Sequence, residues 1–227
     1  MHNQSINSLA LISARYTALA VNLLQMIYAN QLLVCCQAID LRAMYSDFFR
    51  LMKVNISAKV KEHLHLCYDI KDFHENLSTI LYAKAIESFT VTASLDTSER
   101  FAALVKPLIS DVFTYISIAD PLSYTFHVTA FQSSLADTLG ASWTANRAAY
   151  FSKPPGAAES LLGNGTRLVY LWVRQTLGIQ MRMGIDYDKE ETDKQLSKIY
   201  RGIITGEVND VLLSALRPQE EGGTGRA

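Results

Sequence analysis

The sequence predicts an all-α protein built on a long-helix bundle, and three observations carry that prediction. All 11 glycines lie at or after Gly140, and the 5 prolines stand at positions 107, 121, 154, 155 and 218, so residues 1–106 contain neither breaker. Antiparallel sheet needs a turn residue tolerant of positive φ every strand or two, so a breaker-free stretch of this length excludes sandwiches and barrels. Apolar residues make up 49% of the 227-residue chain and recur at steps of three and four, the period of a helix face. A chain of this size can bury a core without disulfides or metal.

The first element is a helix from Ser5 to about Asp47. Leu9, Ile12, Tyr16, Leu19, Leu23, Met26, Asn30 and Leu33 fall on one stripe, while Leu11, Ala14, Ala18, Ala20, Val34 and Ile39 make the other faces apolar as well. A helix that is apolar nearly all round must be buried on most sides. At 1.5 Å per residue it would be on the order of 60 Å long, more than one chain of this size can cover. It should therefore run through a multi-helix bundle and through a subunit interface, so an oligomer is expected. A break near Asn30–Gln31 into two shorter helices is the alternative, and it would weaken that expectation.

Residues 55–100 show helical apolar steps such as Leu77, Ile80 and Leu81, followed by a turn and N-cap cluster at Ser94, Asp96, Thr97 and Ser98. The helix starting there continues through Phe101, Leu104, Val105, Leu108, Ile109, Val112, Phe113 and Ile116, with Pro107 set to kink or restart it. Asp120–Pro121 starts the next element and Pro154–Pro155–Gly156 marks a loop. Leu161 to about Leu177 reads as a helix ended by Gly178, and Asp193 to Ile204 as another ended by Gly206, each glycine standing where a left-handed cap is wanted. Pro218–Ala227 is a polar, glycine-rich tail expected to be disordered.

Composition narrows the function classes. Net charge is −1, from 21 basic and 22 acidic residues, and no basic run of five exists, so nucleic-acid and anionic-membrane binding are not expected. No stretch is expected to span a membrane, since even Val21–Cys36 is interrupted by Asn22, Gln25, Asn30 and Gln31. Met1–Ala14 lacks the basic residues and apolar length of an export signal. Three cysteines, two of them adjacent at Cys35 and Cys36, make no disulfide framework. A reduced cytoplasmic setting is the expectation.

Most motifs read as structural. His63–Leu64–His65 with Cys67 has zinc-ligating residue types, but positions i and i+2 of a helix do not face each other, so surface histidines are the better reading and no metal is expected. Cys35–Cys36 lacks the two-residue spacer of a redox pair and is expected to be small, buried core. Gly163–Asn164–Gly165–Thr166 lacks the lysine and the preceding strand of a phosphate-binding loop and reads as a helix-leading turn. No Gly-x-Ser-x-Gly elbow exists. Glu190–Glu191 and Glu220–Glu221 read as solvated charge. That leaves His2–Asn3–Gln4, neutral polar groups set directly before the long helix, where the positive end of the macrodipole suits a substrate carboxylate or an electrophile. Capping of the same helix by Ser5, Asn7 or Ser8 is the alternative.

Two blocks, His2-Asn3-Gln4-Ser5-Ile6-Asn7-Ser8-Leu9-Ala10-Leu11-Ile12-Ser13-Ala14-Arg15 and Cys36-Gln37-Ala38-Ile39-Asp40-Leu41-Arg42, closely resemble eukaryotic phenylalanine ammonia-lyases. Arg167–Gly178, Ser197–Tyr200, Gly202, Gly206 and Val211–Leu213 resemble the carboxyl-terminal end of that family in its fungal form. The resemblance implies a helix of the lyase bundle over 1–52, a smaller helical extension over 53–155, carboxyl-terminal helices over 156–217 and the tail over 218–227. It also implies a homotetramer with each active site built from three subunits. Members remove ammonia from L-phenylalanine, in some cases L-tyrosine, giving trans-cinnamate or coumarate through a 4-methylidene-imidazol-5-one (MIO) electrophile made from an internal Ala-Ser-Gly.

By that resemblance His2 lies near the substrate ring, Gln4 in the hydrogen-bond network around the electrophile, and Asn3 between them. No Ala-Ser-Gly occurs in these 227 residues; the nearest strings are Ala93-Ser94-Leu95 and Ala141-Ser142-Trp143. The family's loop tyrosine, carboxylate-binding arginine and ring-selectivity residues have no counterpart here either. The chain alone is therefore expected to be inactive, and phenylalanine is not distinguished from tyrosine, nor lyase from aminomutase. The competing expectation is a non-enzymatic helical scaffold that joins full-length lyase subunits.

Overall fold

A computed structural model of the chain describes residues 8–64, 72–119, 127–184 and 189–216. Those residues are helical with turns and loops, and no strand is present among them. They divide into two compact units, Met1–Ala43 with Lys153–Ala227, and Met44–Ser152.

Helix α1, Ser8–His63, runs without interruption through Asn30–Gln31, so the broken-helix alternative is excluded. It also continues well past Asp47. Phe48, Met52, Ile56 and Val60 keep a four-residue spacing, and all four are fully buried. Lys61 in the last turn places positive charge at the negative end of the macrodipole. By length and apolar composition this helix is long enough to cross a membrane, contrary to the sequence expectation. Asn22, Gln25, Asn30 and Gln31 are uncharged and interrupt the apolar run too weakly to lower its hydropathy below that of a span.

In the first unit, α1 turns Ala29, Cys36, Asp40 and Ala43 inward. Cys35 is exposed, which corrects the expectation of a buried pair: consecutive helical residues point roughly 100° apart, so one side chain enters the core and its neighbour leaves it. The Gln37 side chain binds an extended segment as a strand would, donating to the Arg182 carbonyl at 3.1 Å and accepting from the Arg182 N–H at 2.9 Å. The Tyr200 hydroxyl donates to the Asn22 side-chain carbonyl.

The segment expected as one helix from Leu161 to Leu177 is three pieces. Glu159–Leu161 is a 3-10 turn, Leu162 is extended, and α6 covers Asn164–Leu171 with Gly163 as its N-cap residue. A π-helical turn, Trp172–Thr176, closes it, with the Leu177 N–H reaching back to the Trp172 carbonyl at 2.9 Å. The wider turn lets Trp172, Val173 and Arg174 all be buried although they are consecutive. Gly178 then takes φ +65°, the left-handed cap expected there.

Helix α7, Lys189–Ile204, begins four residues before the predicted Asp193 because Glu190 and Glu191 belong to its first turn. Gly206 at φ +85° reverses the chain into α8, Glu207–Leu216. Gly202 of α7 lies against the Trp172 indole so closely that a β-carbon would stand 2.4 Å from Cζ2. Gly202→Ala is therefore expected to destabilise the chain by about 1–3 kcal/mol through overpacking, read as a lowered urea midpoint with an unchanged slope.

The second unit joins the last five turns of α1 to α2 (Phe73–Val91), α3 (Thr97–Val105), α4 (Leu108–Ala119) and α5 (Val128–Phe151). Asp96 is the N-cap residue of α3, as the cluster at 94–98 predicts, and Pro107 separates α3 from α4, so it restarts the helix. Asp120–Pro121 lies outside the described residues. Helix α5 lies within the helical extension expected over 53–155, but its own span was not delimited, although Phe131, Leu135, Leu139 and Trp143 repeat every fourth residue and are buried. Serine, threonine and Gly140 obscure it. Gly140 has a purpose in the packing of α3 on α5, since a β-carbon there would meet the Phe101 ring at 3.4 Å.

The core of this unit is aromatic. The Phe48 ring meets Trp143 edge-on at 5.0 Å and Phe89 at 5.4 Å. Arg100, only 8% exposed, stacks 3.8 Å above the Phe89 ring and donates to the Phe89 carbonyl at 3.0 Å, which caps the carboxyl end of α2 with a cation. Burial holds its guanidinium pKa below the usual arginine range.

Candidate functional site

Among the described residues, the polar groups buried most completely lie between α1 and the carboxyl-terminal segment of the first unit. Asp40 of α1, Tyr170 of α6 and Arg174 of the π turn are 3%, 1% and 1% exposed. Arg174 Nη2 stands 2.6 Å from Asp40 Oδ2, and the Tyr170 hydroxyl donates to Asp40 Oδ1 at 2.5 Å. The Ala158 N–H donates to the same hydroxyl at 3.3 Å, and Arg174 Nη1 donates to the Ile179 carbonyl at 3.1 Å. A buried carboxylate is tolerable only when paired and hydrogen-bonded in this way.

This cluster is a clamp rather than a catalytic centre. Burial, with the hydrogen bond to Asp40, pushes the Tyr170 phenol well above its ordinary range, so it stays a neutral donor. Burial likewise pushes the Cys36 thiol up to about 11, which leaves it protonated and inert as a nucleophile. Neither group is poised to exchange a proton near neutrality.

The amino-terminal half of α1 has the opposite character. Asn22 and Gln25 are half-buried, while Leu9, Ile12, Tyr16, Leu19, Leu23 and Met26 on one face and Val21, Leu24 and Tyr28 on another are exposed. At roughly 100° per residue these two apolar faces and the inward polar one divide the helix circumference among them. Leu9 is 73% exposed and Tyr16 69%. Apolar surface on this scale marks an interaction face.

His2, Asn3 and Gln4, the predicted pocket residues, lie outside the described residues, as do His65, Cys67, Glu220, Glu221 and the tail 218–227. His63 packs its ring edge-on to Phe131 at 5.9 Å, with Nε2 turned toward Glu62 at 3.5 Å. Among the described residues no group of three His, Cys, Asp or Glu side chains is placed to hold a metal ion. Gly163–Thr166 leads into α6 as a helix start, and Glu190 pairs with Lys194 at 2.8 Å on an exposed face. The clamp residues were missed: Asp40 and Tyr170 are 130 positions apart, and the one available signal was a carboxylate on the inward stripe of an apolar helix.

Residues 1–63 match the family model described as aromatic amino acid lyase. The phenylalanine ammonia-lyase of Flammulina velutipes is 31% identical over 93% of this chain and 31% of its own length. That of Cochliobolus lunatus is 28% identical over 91% of this chain and 30% of its own. The crystal structure of phenylalanine ammonia-lyase from Rhodosporidium toruloides superposes with a TM-score of 0.82 at 26% identity, over 95% of this chain and 33% of that one. Sequence and helical architecture together liken the chain to the aromatic amino acid lyases. Within that family its likeness is to a portion of the fungal phenylalanine ammonia-lyases, and it spans about a third of the length of the relatives it matches.

Proposed function

We propose that this chain supplies the helical wall and the polar helix cap of an aromatic amino acid ammonia-lyase, which deaminates L-phenylalanine, with L-tyrosine as the alternative substrate, to trans-cinnamate or coumarate and ammonia. The single observation that carries this reading is the exposed, two-faced apolar surface of α1 between Leu9 and Val34, set in a chain whose relatives are ammonia-lyases. One partner helix covers one face. Two faces call for at least two helices beyond those of the first unit, which fits a homo-oligomer such as a tetramer and a cytoplasmic enzyme better than a single membrane span. Helix-to-helix coverage also accommodates the exposed amide of Asn30, which hydrocarbon would disfavour.

In this reading His2 faces the substrate ring and Gln4 joins the hydrogen-bond network around the electrophile at the positive end of α1, with Asn3 between them. The electrophile itself, the MIO group, has no source here, because no Ala-Ser-Gly stands in the sequence. The residues of this chain bind, orient and exclude water; the electrophile and the proton-abstracting base come from the remainder of the enzyme. The 227-residue chain alone is accordingly expected to form no cinnamate from L-phenylalanine, followed by absorbance and chromatography. Detectable turnover would refute that part of the proposal.

The second reading, a scaffold that joins full-length lyase subunits without contributing to chemistry, shares the same apolar face. The two separate on His2 and Gln4. Substituting both leaves the activity of a mixed assembly unchanged if the chain is a scaffold, and lowers it if they line the pocket.

A further inference from the structure

Asn164–Gly165 is the one Asn-Gly dipeptide in the sequence, and neither the clamp nor the apolar face uses it. Both residues are exposed, as are Gly163 and Thr166 on either side. They occupy the first two positions of α6, where backbone N–H groups have no intrahelical acceptor. The Gly165 N–H has no hydrogen-bond partner among the described residues, and the next N–H to be paired is that of Arg167, to the Gly163 carbonyl at 2.8 Å. Glycine offers no side chain to block approach to its own nitrogen, and Gly163 has open space where a β-carbon would stand.

We propose that Asn164 is a site of spontaneous deamidation that edits the start of α6. The Gly165 amide nitrogen loses its proton and attacks the Asn164 side-chain carbonyl carbon. A nitrogen–carbon bond forms, the bond from that carbon to the side-chain nitrogen breaks, and ammonia departs with the proton. Water then opens the five-membered imide at either carbonyl, leaving aspartate or isoaspartate at position 164. No oxidant or reductant enters.

The two products act differently on the fold. Aspartate places a carboxylate in the first turn of α6, where the macrodipole favours it, three positions before Arg167. Arg167 already turns toward Glu159 at 3.8 Å and has a buried Nε without a hydrogen-bond partner. Isoaspartate instead inserts a methylene into the main chain at the helix start. Tyr170 lies in the same helix, buried and bonded to Asp40, so a shifted start works against the clamp.

The test incubates the full chain in mildly alkaline buffer and follows position 164 by peptide mapping with mass spectrometry and by isoaspartyl methyltransferase labelling. The expected result is label confined to the peptide containing position 164, absent from Asn164→Gln and strongly slowed in Gly165→Ala, with circular dichroism verifying that both variants are helical. A short peptide with the sequence around 164 serves as the unfolded reference. The proposal is overturned if that peptide deamidates while the folded chain does not, or if Asn164→Gln leaves the labelling unchanged.

Discussion

Arg174→Met is expected to destabilise the chain by about 3–5 kcal/mol, the cost of leaving a buried carboxylate without its counter-ion. The guanidinium and the Asp40 side chain are 1% and 5% exposed and 2.6 Å apart, so solvent screens the pair little. Asp40 would retain the hydrogen bond from the Tyr170 hydroxyl. The double variant Asp40→Leu with Arg174→Met should recover most of the loss, because it removes both charges together. What remains is the Tyr170 hydroxyl without its acceptor, worth about 1–3 kcal/mol. Urea denaturation of the parent, the two single variants Arg174→Met and Asp40→Leu, and the double variant checks this. A single variant as stable as the parent would mean that the pair is not closed in solution. A double variant worse than the sum of the two singles would mean that the clamp is a cooperative network rather than an ion pair.

A larger effect is expected on assembly. The parent chain should self-associate through the exposed apolar faces of α1, and the double variant Leu23→Glu with Ile27→Glu should shift it to smaller species at the same concentration. Leu23 and Ile27 are 51% and 61% exposed, so glutamates there cost the isolated chain nothing in its own core. In an assembly each buries a carboxylate without a partner, at a cost of several kcal/mol. Since about 1.4 kcal/mol is a factor of ten in an equilibrium constant, the two together should weaken association by several orders of magnitude. Sedimentation velocity of both proteins, with circular dichroism to verify helicity, makes the comparison. A parent chain that is monomeric throughout would leave the apolar face unexplained by subunit contact.

Much of this architecture was legible in the sequence because its determinants are local. The absence of glycine and proline before Pro107 announces α1, and the left-handed caps at Gly178 and Gly206 stand at the predicted residues. Pro107 and Asp96 act through rules that a few neighbouring residues express. What sequence reading missed depends on tertiary partners. Helix α5 carries a glycine that makes sense only against the Phe101 ring, and the π turn at Trp172–Thr176 exists because three consecutive side chains find burial. The Asp40–Arg174 pair joins positions that no local pattern connects. Cys35 and Cys36 show the limit of reading a motif without its helical phase, since one lies inside and one outside. Of the site itself, His2, Asn3 and Gln4 were suggested by polarity before an apolar helix and carried further by the family resemblance.

Reconstitution tests the proposal that this chain completes a lyase pocket that it cannot form alone. A fungal phenylalanine ammonia-lyase shortened to lack the third that this chain matches is co-expressed with the chain, and the purified complex is assayed for cinnamate from L-phenylalanine. The account predicts cinnamate from the complex, none from either part alone, and loss of activity when His2 and Gln4 are both replaced by alanine. A soluble, stoichiometric complex that forms no cinnamate, or one whose activity is indifferent to His2 and Gln4, would contradict it.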